Sequence, residues 1–220
     1  MRISEVQLLS DDLIETVKFY GEFLGLDIIY RDEKKISFAA GVSVLTFLKS
    51  EKLSPVYHFA FNIVPTKIEE ALVWVKARIA VLIDAEGGEI VDFSNWKAKS
   101  VYFEDNNGNI VEFIARFELP CDIDESPFDS GSIISISELG IVAEDVSALS
   151  EVISSEYNVP VFSRQVPKEN FAALGDDEGL FILSKKDRHW YPTDIAAHSF
   201  QYVIYFEQDG KTVCLSNKVE

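Results

Sequence analysis

The chain has 220 residues, enough for one large domain or two small ones, and 47% of them are hydrophobic, so it has the apolar material for a folded core. It contains 20 Lys and Arg residues and 37 Asp and Glu residues, which gives a formal net charge of -17. That charge excludes nucleic acid and anionic membranes as expected partners, because phosphate groups repel an acidic surface.

The first elements of the chain are a β-rich segment, Ile3–Val6, and a helical stretch, Leu13–Leu24, that follows an acidic cap. Two strand-like runs come next, Phe38–Gly41 and Val44–Lys49. Met1–Ser10 does not read as a secretory leader, and no apolar run reaches the roughly 18 residues of a membrane span. We therefore expect a cytoplasmic protein whose first part contains a strand, a helix and about three strands.

The same order of elements returns in a second segment, which starts with the β-rich run Tyr57–Phe61. Thr66 and Glu69 have the spacing of a capping box, which predicts a helix start. The segment closes with two β-rich runs around the turn dipeptide Asn107–Gly108, namely Val101–Asp105 and Ile110–Arg116.

A third copy is marked by the return of the Ile-Ser-Glu head at Ile136–Leu139. It continues into a helical stretch, Val146–Tyr157, and two short strands, Phe171–Gly175 and Leu180–Lys185. Two further β-rich runs flank the turn residues Asp209 and Gly210 and predict a terminal hairpin, Phe200–Phe206 and Lys211–Leu215.

These repeats divide the chain. We expect residues 1–118 to hold two paired modules, 1–52 and 56–118, that form the main pocket. Residues 119–132 are rich in Pro, Asp, Ser and Gly and are expected to be a linker, and 133–220 hold the third module with the terminal hairpin. Cys121 and Cys214 lack the spacing of a zinc or redox motif and are expected to be ordinary thiols.

Strand alternation assigns side chains to faces of the predicted sheets. One face of each sheet is apolar, while the other carries isolated polar groups such as Glu5, His58 and Glu112. Because sheets twist and coil, we expect an α+β fold of repeated βαβββ modules, paired into curved, bowl-like mixed sheets with helices outside. The three polar groups are then expected to converge in the hollow.

Three stretches of the chain resemble the vicinal oxygen chelate superfamily, which includes glyoxalase I, bleomycin-resistance proteins and extradiol ring-cleaving dioxygenases. They are Phe19–Leu26, His58–Phe61 and Tyr102–Glu112, of which the last is the most specific. The resemblance implies paired βαβββ modules with a divalent metal at the pocket floor, held by residues from the first and last strand of each module. In this sequence those positions are Glu5, Thr46, His58 and Glu112.

The donor set departs from the better-known members of that superfamily. Ring-cleaving enzymes use two His and one carboxylate, whereas this chain offers one His, and Thr46 stands where glyoxalase I-like enzymes have a fourth ligand. We expect Glu5, His58 and Glu112 to hold a divalent ion, with Fe, Mn, Zn, Ni and Mg all compatible and water completing the shell. Glu5 or Glu112 would also carry a proton in catalysis.

Further polar side chains are candidates for binding a substrate, namely Gln7, Thr46, Asn62 and Trp96. For Glu112 the alternative is a structural salt bridge with Arg116 on the same strand face. Glu138 repeats Glu5, but its copy has no matching His and Glu, so no site is expected there. The cationic and aromatic cluster Arg188–Pro192 either closes a second pocket or packs two domains together, and packing is favoured.

Two functions of different classes follow from this sequence. One is an enzyme that binds a small oxygen-bearing molecule at a metal and performs isomerase, lyase or ring-cleaving chemistry. The other is a metal-free protein that encloses a small apolar or aromatic molecule, as resistance proteins of that superfamily do. In either case the partner is a small-molecule ligand, and the protein is a monomer or a homodimer.

Overall fold

The computed structural model describes residues 1–120 and 126–217. The first repeat is a strand, a short helix that widens into a π-type helical segment, and three further strands. Its elements are β1 (Arg2–Ser10), α1 (Leu13–Thr16) with its continuation Val17–Phe23, β2 (Ile28–Arg31), β3 (Lys35–Ala40) and β4 (Ser43–Lys49). The expected acidic cap is Asp12, whose Oδ1 accepts hydrogen bonds from the backbone N–H groups of Ile14 and Glu15 at 2.9 and 3.0 Å.

The second repeat has the same order with a longer insertion before its last strands. Its elements are β5 (His58–Ile63), α2 (Ile68–Lys76), β6 (Val81–Leu82), β7 (Val91–Phe93), β8 (Ala98–Glu104) and β9 (Ile110–Arg116). The prediction of a capping box at Thr66 is wrong. A single 3-10 turn, Pro65–Lys67, precedes α2, so Thr66 lies inside that turn, and no described side chain caps α2.

The third repeat begins with the longest strand of the described residues and carries the predicted terminal hairpin after it. Its elements are β10 (Ile133–Ala143), α3 (Val146–Tyr157), β11 (Phe171–Asp176) and β12 (Gly179–Lys185), followed by β13 (Tyr202–Gln208) and β14 (Lys211–Asn217). Positive φ angles of 52° at Asp209 and 72° at Gly210 form the hairpin turn. Two strands follow α3 in the described part of this repeat rather than about three, because Val161 makes only an isolated bridge to Leu174.

The described strands form two mixed sheets, which we call the first sheet and the second sheet. The first sheet has the order β14-β13-β1-β4-β3-β2, and the second has the order β11-β12-β10-β5-β9-β8-β6, with β7 also paired to β8. In both sheets the first strand of a repeat pairs in parallel with the last strand of the same repeat, β1 with β4 and β5 with β9. This confirms the α+β class and the curved mixed sheets built from repeats.

The pairing of the repeats differs from the expectation that the first and second modules enclose the pocket. The outer edge of β5 pairs antiparallel with β10, so the second repeat pairs with the third. The outer edge of β1 pairs antiparallel with β13, so the first repeat pairs with the terminal hairpin. Each first strand offers an open edge whose backbone groups any strand can satisfy, and local sequence does not specify which strand does so.

The apolar faces of the two sheets and the helices share one hydrophobic core. Phe59, Phe61 and Phe113 come from the second sheet, and Ile3 and Phe206 from the first, and all five are fully buried. Burying a side chain of this kind contributes about 1.5–3 kcal/mol. The helices pack on these apolar faces, which leaves the polar face of each sheet on the outside of the shared core.

A close backbone approach joins the first sheet to β10. Gly41, in the turn between β3 and β4, has φ +60°, and a Cβ atom there would lie 2.0 Å from the carbonyl oxygen of Ile134. The neighbouring Val42 N–H donates to the same carbonyl at 2.9 Å. Only glycine fits this contact, which brings the turn between β3 and β4 against β10 of the second sheet.

The end of the segment expected to be a linker is packed against the second repeat. Phe128 is buried in the shared core, and its backbone N–H donates to the Glu70 carboxylate at 3.0 Å. Residues 121–125, including Cys121, lie outside the described residues, and Cys214 is an exposed thiol. Among the described residues, none of the helices has the length and apolar content needed to cross a membrane.

Candidate metal centre in the second sheet

The polar face of the second sheet forms the floor of a pocket of about 480 Å³. The floor carries His58, Glu112 and Glu138. The pocket walls are largely aromatic, with Phe93, Trp96, Tyr102, Phe171, Trp190 and Tyr191. A cavity of this size with apolar walls and a few convergent polar groups is typical of a small-molecule site.

Strand register brings the three floor residues together around Ala60. Ala60 on β5 pairs with Glu112 on β9 at one side and with Glu138 on β10 at the other. His58 lies two residues before Ala60 and therefore on the same face of the sheet. The small side chain of Ala60 leaves the space between the carboxylates open, and one ligand atom of each floor residue lies within 4.8 Å of the other two.

His58 is held in the form that a metal ligand requires. Its Nδ1 lies 3.2 Å from the carbonyl oxygen of Ile110, and a carbonyl only accepts, so we assign the ring proton to Nδ1. Burial lowers the pKa of His58 to about 4, which keeps the ring neutral near pH 7. The lone pair of Nε2 then faces Glu112 Oε2 at 3.6 Å, an arrangement that a cation between them would stabilise.

Glu112 and Glu138 place two carboxyl groups in the same dry site. Burial, together with the charge of Glu138, raises the pKa of Glu112, while the Ser100 and Tyr102 hydroxyls donate hydrogen bonds to it. Burial also raises the pKa of Glu138, against the opposing effect of Arg116. When both acids are ionised, the Arg116 guanidinium balances Glu138, and the Glu112 carboxylate is left for a cation. The donor set therefore fits a metal ion.

Arg116 fixes the position of Glu138. It is fully buried, its Nη2 bonds the Glu138 carboxylate, and its Nε donates to the Ser137 hydroxyl at 3.2 Å. On its other side Nη1 lies 3.5 Å from Asp177 Oδ1, which also accepts a hydrogen bond from Arg164 at 2.7 Å. The salt bridge considered between Arg116 and Glu112 is thus formed with Glu138 instead, because β10 rather than β1 borders β5.

The structure does not bring Glu5 to His58 and Glu112, so the expected convergence of these three residues is wrong. Glu5 lies on the half-exposed face of the first sheet, where its Oε1 accepts hydrogen bonds from Thr46 and Gln7, both at 2.9 Å. Neither Thr46 nor Gln7 lines the pocket of the second sheet. The error follows from the pairing of the modules, which puts Glu138 where Glu5 was expected.

Trp96 lies at the pocket, whereas Asn62 does not. Asn62 is fully buried and donates to the Ser135 hydroxyl at 3.4 Å and to the Asp177 carbonyl at 3.3 Å, outside the pocket lining. Trp96 lines the pocket, and its Nε1 donates to Gln165 Oε1 at 3.2 Å. Of the four residues proposed to bind substrate, Trp96 is therefore the one that the structure places at the pocket.

Sequence reasoning missed Glu138 as a member of the floor, and for the cluster Arg188–Pro192 it favoured packing over the closure of a second pocket. Arg188, Trp190 and Tyr191 in fact line the pocket, and the Trp190 ring lies 5.5 Å from that of His58. One signal was available for Glu138, namely its repetition of Glu5 at the head of a copy. A glutamate at that point of a repeat lies on the polar face of whichever sheet its strand joins.

Comparisons with known proteins give one curated relative and several solved structures, and no family model matches. The metallothiol transferase FosB of Staphylococcus epidermidis is 26% identical over 117 residues, which is 50% of this chain and 80% of that protein. A putative dioxygenase from Bacillus subtilis has a TM-score of 0.61 at 12% identity and covers 98% of this chain and 84% of its own. A lactoylglutathione lyase from Agrobacterium tumefaciens matches 51% of this chain and 91% of its own, with 23% identity and a TM-score of 0.44. The Bacillus subtilis protein shares the fold over both sheets.

Proposed function

We propose that the chain is a member of the vicinal oxygen chelate superfamily and that the pocket of its second sheet is a metal-dependent active site. Its substrate is a small oxygen-bearing organic molecule. The observation that carries this proposal is the meeting of His58, Glu112 and Glu138 on one pocket floor. A divalent ion held there would act as a Lewis acid on substrate oxygen atoms.

The third repeat does not supply the residue that would complete a four-residue donor set. Gly140, two residues after Glu138, pairs with Ile182, just as Ala60, two residues after His58, pairs with Glu112. The counterpart of Glu112 is thus Ile182, an apolar residue that lines the pocket. Three protein donors without a fourth are typical of catalytic rather than structural metal sites, because substrate or water takes the remaining positions.

The other pocket residues orient the site and exclude water. The Nδ1 hydrogen bond of His58 to Ile110 fixes the ring, and Arg116 fixes Glu138. Burial and the charge of Glu112 raise the pKa of Tyr102 well above its usual value, so its hydroxyl stays protonated and donates to Glu112. The aromatic walls offer a planar apolar surface to the body of a substrate.

A second candidate function is metal-free binding of a small molecule, and one observation favours it. The buried ion pair between Arg116 and Glu138 already neutralises one of the two floor carboxylates. A floor that is neutral through this pair and a protonated Glu112 would need no cation. The two functions differ in whether the protein binds stoichiometric metal.

Metal analysis separates these two candidates. The purified protein is stripped with a chelator, equilibrated separately with Mn, Fe, Zn, Ni and Mg ions, and analysed for bound metal after gel filtration. The proposal expects one ion per chain, lost in His58→Ala and retained in the control His198→Ala, whose exposed ring lies near Asp187. Wild-type protein that carries no stoichiometric metal at saturating supply contradicts the proposal and supports metal-free binding.

A further inference from the structure

Arg188 is a half-buried cation of the pocket lining to which no described carboxylate is paired. The chain holds 37 acidic residues against 20 basic ones, so carboxylate partners are abundant. Arg116 and Arg164, the other arginines beside this floor, each bind carboxylates. Arg188 instead lies with its guanidinium carbon 4.9 Å from the centre of the Phe171 ring. Within the described residues its charge is balanced by no salt bridge, and this leaves its planar donor group available to a ligand.

The backbone holds Arg188 firmly at the pocket. Its N–H donates to the carbonyl of Lys185 at 3.1 Å, and its carbonyl accepts from Ala197 N–H at 2.8 Å. Arg188 lines the same pocket as His58, and Trp190, two residues after Arg188, has its ring 5.5 Å from that of His58. A ligand group that contacts Arg188 therefore sits close to the proposed metal.

A second cation, Lys168, lines the same pocket. Its backbone exchanges hydrogen bonds with that of Phe171, at 2.7 and 3.3 Å. Lys168, like Arg188, has no carboxylate partner in the part of the chain that the structure describes. Among the described residues, two cations without a carboxylate partner thus line this pocket, although the net charge of the chain is -17.

We propose that Arg188, assisted by Lys168, forms an oxyanion-binding subsite, and that the substrate of this pocket is an acid that carries a carboxylate or phosphoryl group on a planar apolar body. This inference rests on the proposed function, because it names the substrate class of the same pocket. The oxyanion lies against Arg188, the planar body lies between Phe171 and Trp190, and the opposite end of the substrate reaches the floor. Arginine is suited to this role because its fork of donors binds planar oxyanions through two hydrogen bonds.

Calorimetric titration of the chelator-treated protein tests the subsite with three probes of similar size: benzoate, phenylphosphonate and neutral benzyl alcohol. We expect at least one of the two anions to bind roughly 10-fold or more tightly than benzyl alcohol, because hydrogen bonds to charged groups are the stronger ones. Whichever anion binds more tightly identifies the carboxylate or the phosphoryl group as the preferred one. Binding of neither anion, or equal binding of the alcohol, overturns the proposal.

Variants then assign the effect to Arg188. Arg188→Gln is expected to weaken anion binding roughly 10-fold or more, and Arg188→Lys to recover part of it, because the charge returns without the fork. The control is Arg78→Gln, since the Arg78 guanidinium also lies over a ring, 4.0 Å from Trp74, but outside this pocket. Circular dichroism confirms that each variant is folded. Unchanged anion binding in folded Arg188→Gln contradicts the proposal.

Two measurements keep this inference distinct from the proposed function. Arg188→Gln is expected to bind metal as the wild type does, whereas Glu112→Ala is expected to lose metal and keep anion binding. If the wild type binds no metal but binds the anion through Arg188, the metal-dependent function fails and the subsite stands. If metal binds and Arg188→Gln leaves anion binding unchanged, only the subsite fails.

Discussion

Glu5 and Glu138 occupy the same point of a repeated segment, yet their surroundings differ. Glu5 lies on the half-exposed face of the first sheet and accepts hydrogen bonds from Thr46 and Gln7. Glu138 is buried on the floor of the second sheet, bonded to Arg116 and close to His58 and Glu112. The repeat decides on which face a glutamate lies, and the strand that borders it decides what chemistry it can perform.

The largest expected difference between the two sheets concerns their arginine–glutamate pairs. In metal-free protein, Arg116→Met should lower the free energy of unfolding by about 3–5 kcal/mol, because it leaves Glu138 buried without its partner. The matched change Arg2→Met breaks an exposed pair with Glu207 in the first sheet and should cost about 1 kcal/mol or less. Urea unfolding of both variants measures these values, and equal losses would remove the distinction drawn between the sheets.

Metal affinity should separate the glutamates of the two sheets. Glu112→Gln is expected to weaken binding roughly 100-fold or more, since removal of a partner of a metal ligand alone costs about 10–100-fold. Glu5→Gln should leave affinity unchanged, because Glu5 bonds Thr46 in the other sheet. Competition with a chromophoric chelator gives both affinities. A large loss in Glu5→Gln would contradict the assignment of the site to the second sheet.

Local sequence patterns predict two of the three floor residues. His58 and Glu112 were found because one lies on a strand with clear alternation and the other on a strand that begins after the Asn107–Gly108 turn, and both patterns are local. Glu138 is not predicted as a site residue, because its own copy has no matching His and Glu. Its companions come from the second repeat through the pairing of β10 with β5, a contact between distant segments that no local pattern encodes.

The pocket walls were harder to predict for a related physical reason. Trp96 was proposed as a pocket residue, but Trp190 and Phe171 reach the pocket from segments of the third repeat, one from an irregular loop and one from the edge strand β11. Loop conformation depends on tertiary contacts, such as the hydrogen bond from Trp190 N–H to the Ile195 carbonyl. Element types could therefore be predicted well, and the partners of each sheet edge could not.

Substitution of a residue that hydrogen-bonds a proposed metal ligand should weaken metal binding less than substitution of the ligand itself. Ser100→Ala removes the hydroxyl that donates to Glu112 and should weaken metal binding about 10–100-fold. The control in the first sheet is Ser37→Ala, which removes a hydroxyl bonded to Thr46 and should leave metal binding unchanged. The same chelator competition applies. Equal affinities in Ser100→Ala and the wild type would show that this hydroxyl does not support a ligand.

The smallest expected effect is a pH dependence of metal binding that Glu112 controls. Because burial and Glu138 raise the pKa of Glu112, its carboxyl holds a proton near neutral pH in metal-free protein, and an incoming ion displaces that proton. The pKa of His58 is lowered to about 4, so this ring is neutral above about pH 5 and releases none. Affinity should therefore rise with pH, by up to about tenfold per unit. Calorimetry in buffers of different ionisation enthalpy counts the released proton, and a count of zero near neutral pH would contradict this account.

Anomalous diffraction from crystals equilibrated with zinc locates a bound ion directly. The account predicts one strong peak in the pocket of the second sheet, about 2.0–2.2 Å from His58 Nε2 and from a carboxylate oxygen of both Glu112 and Glu138. A peak beside Glu5 in the first sheet, or none at the floor of the second, would contradict it.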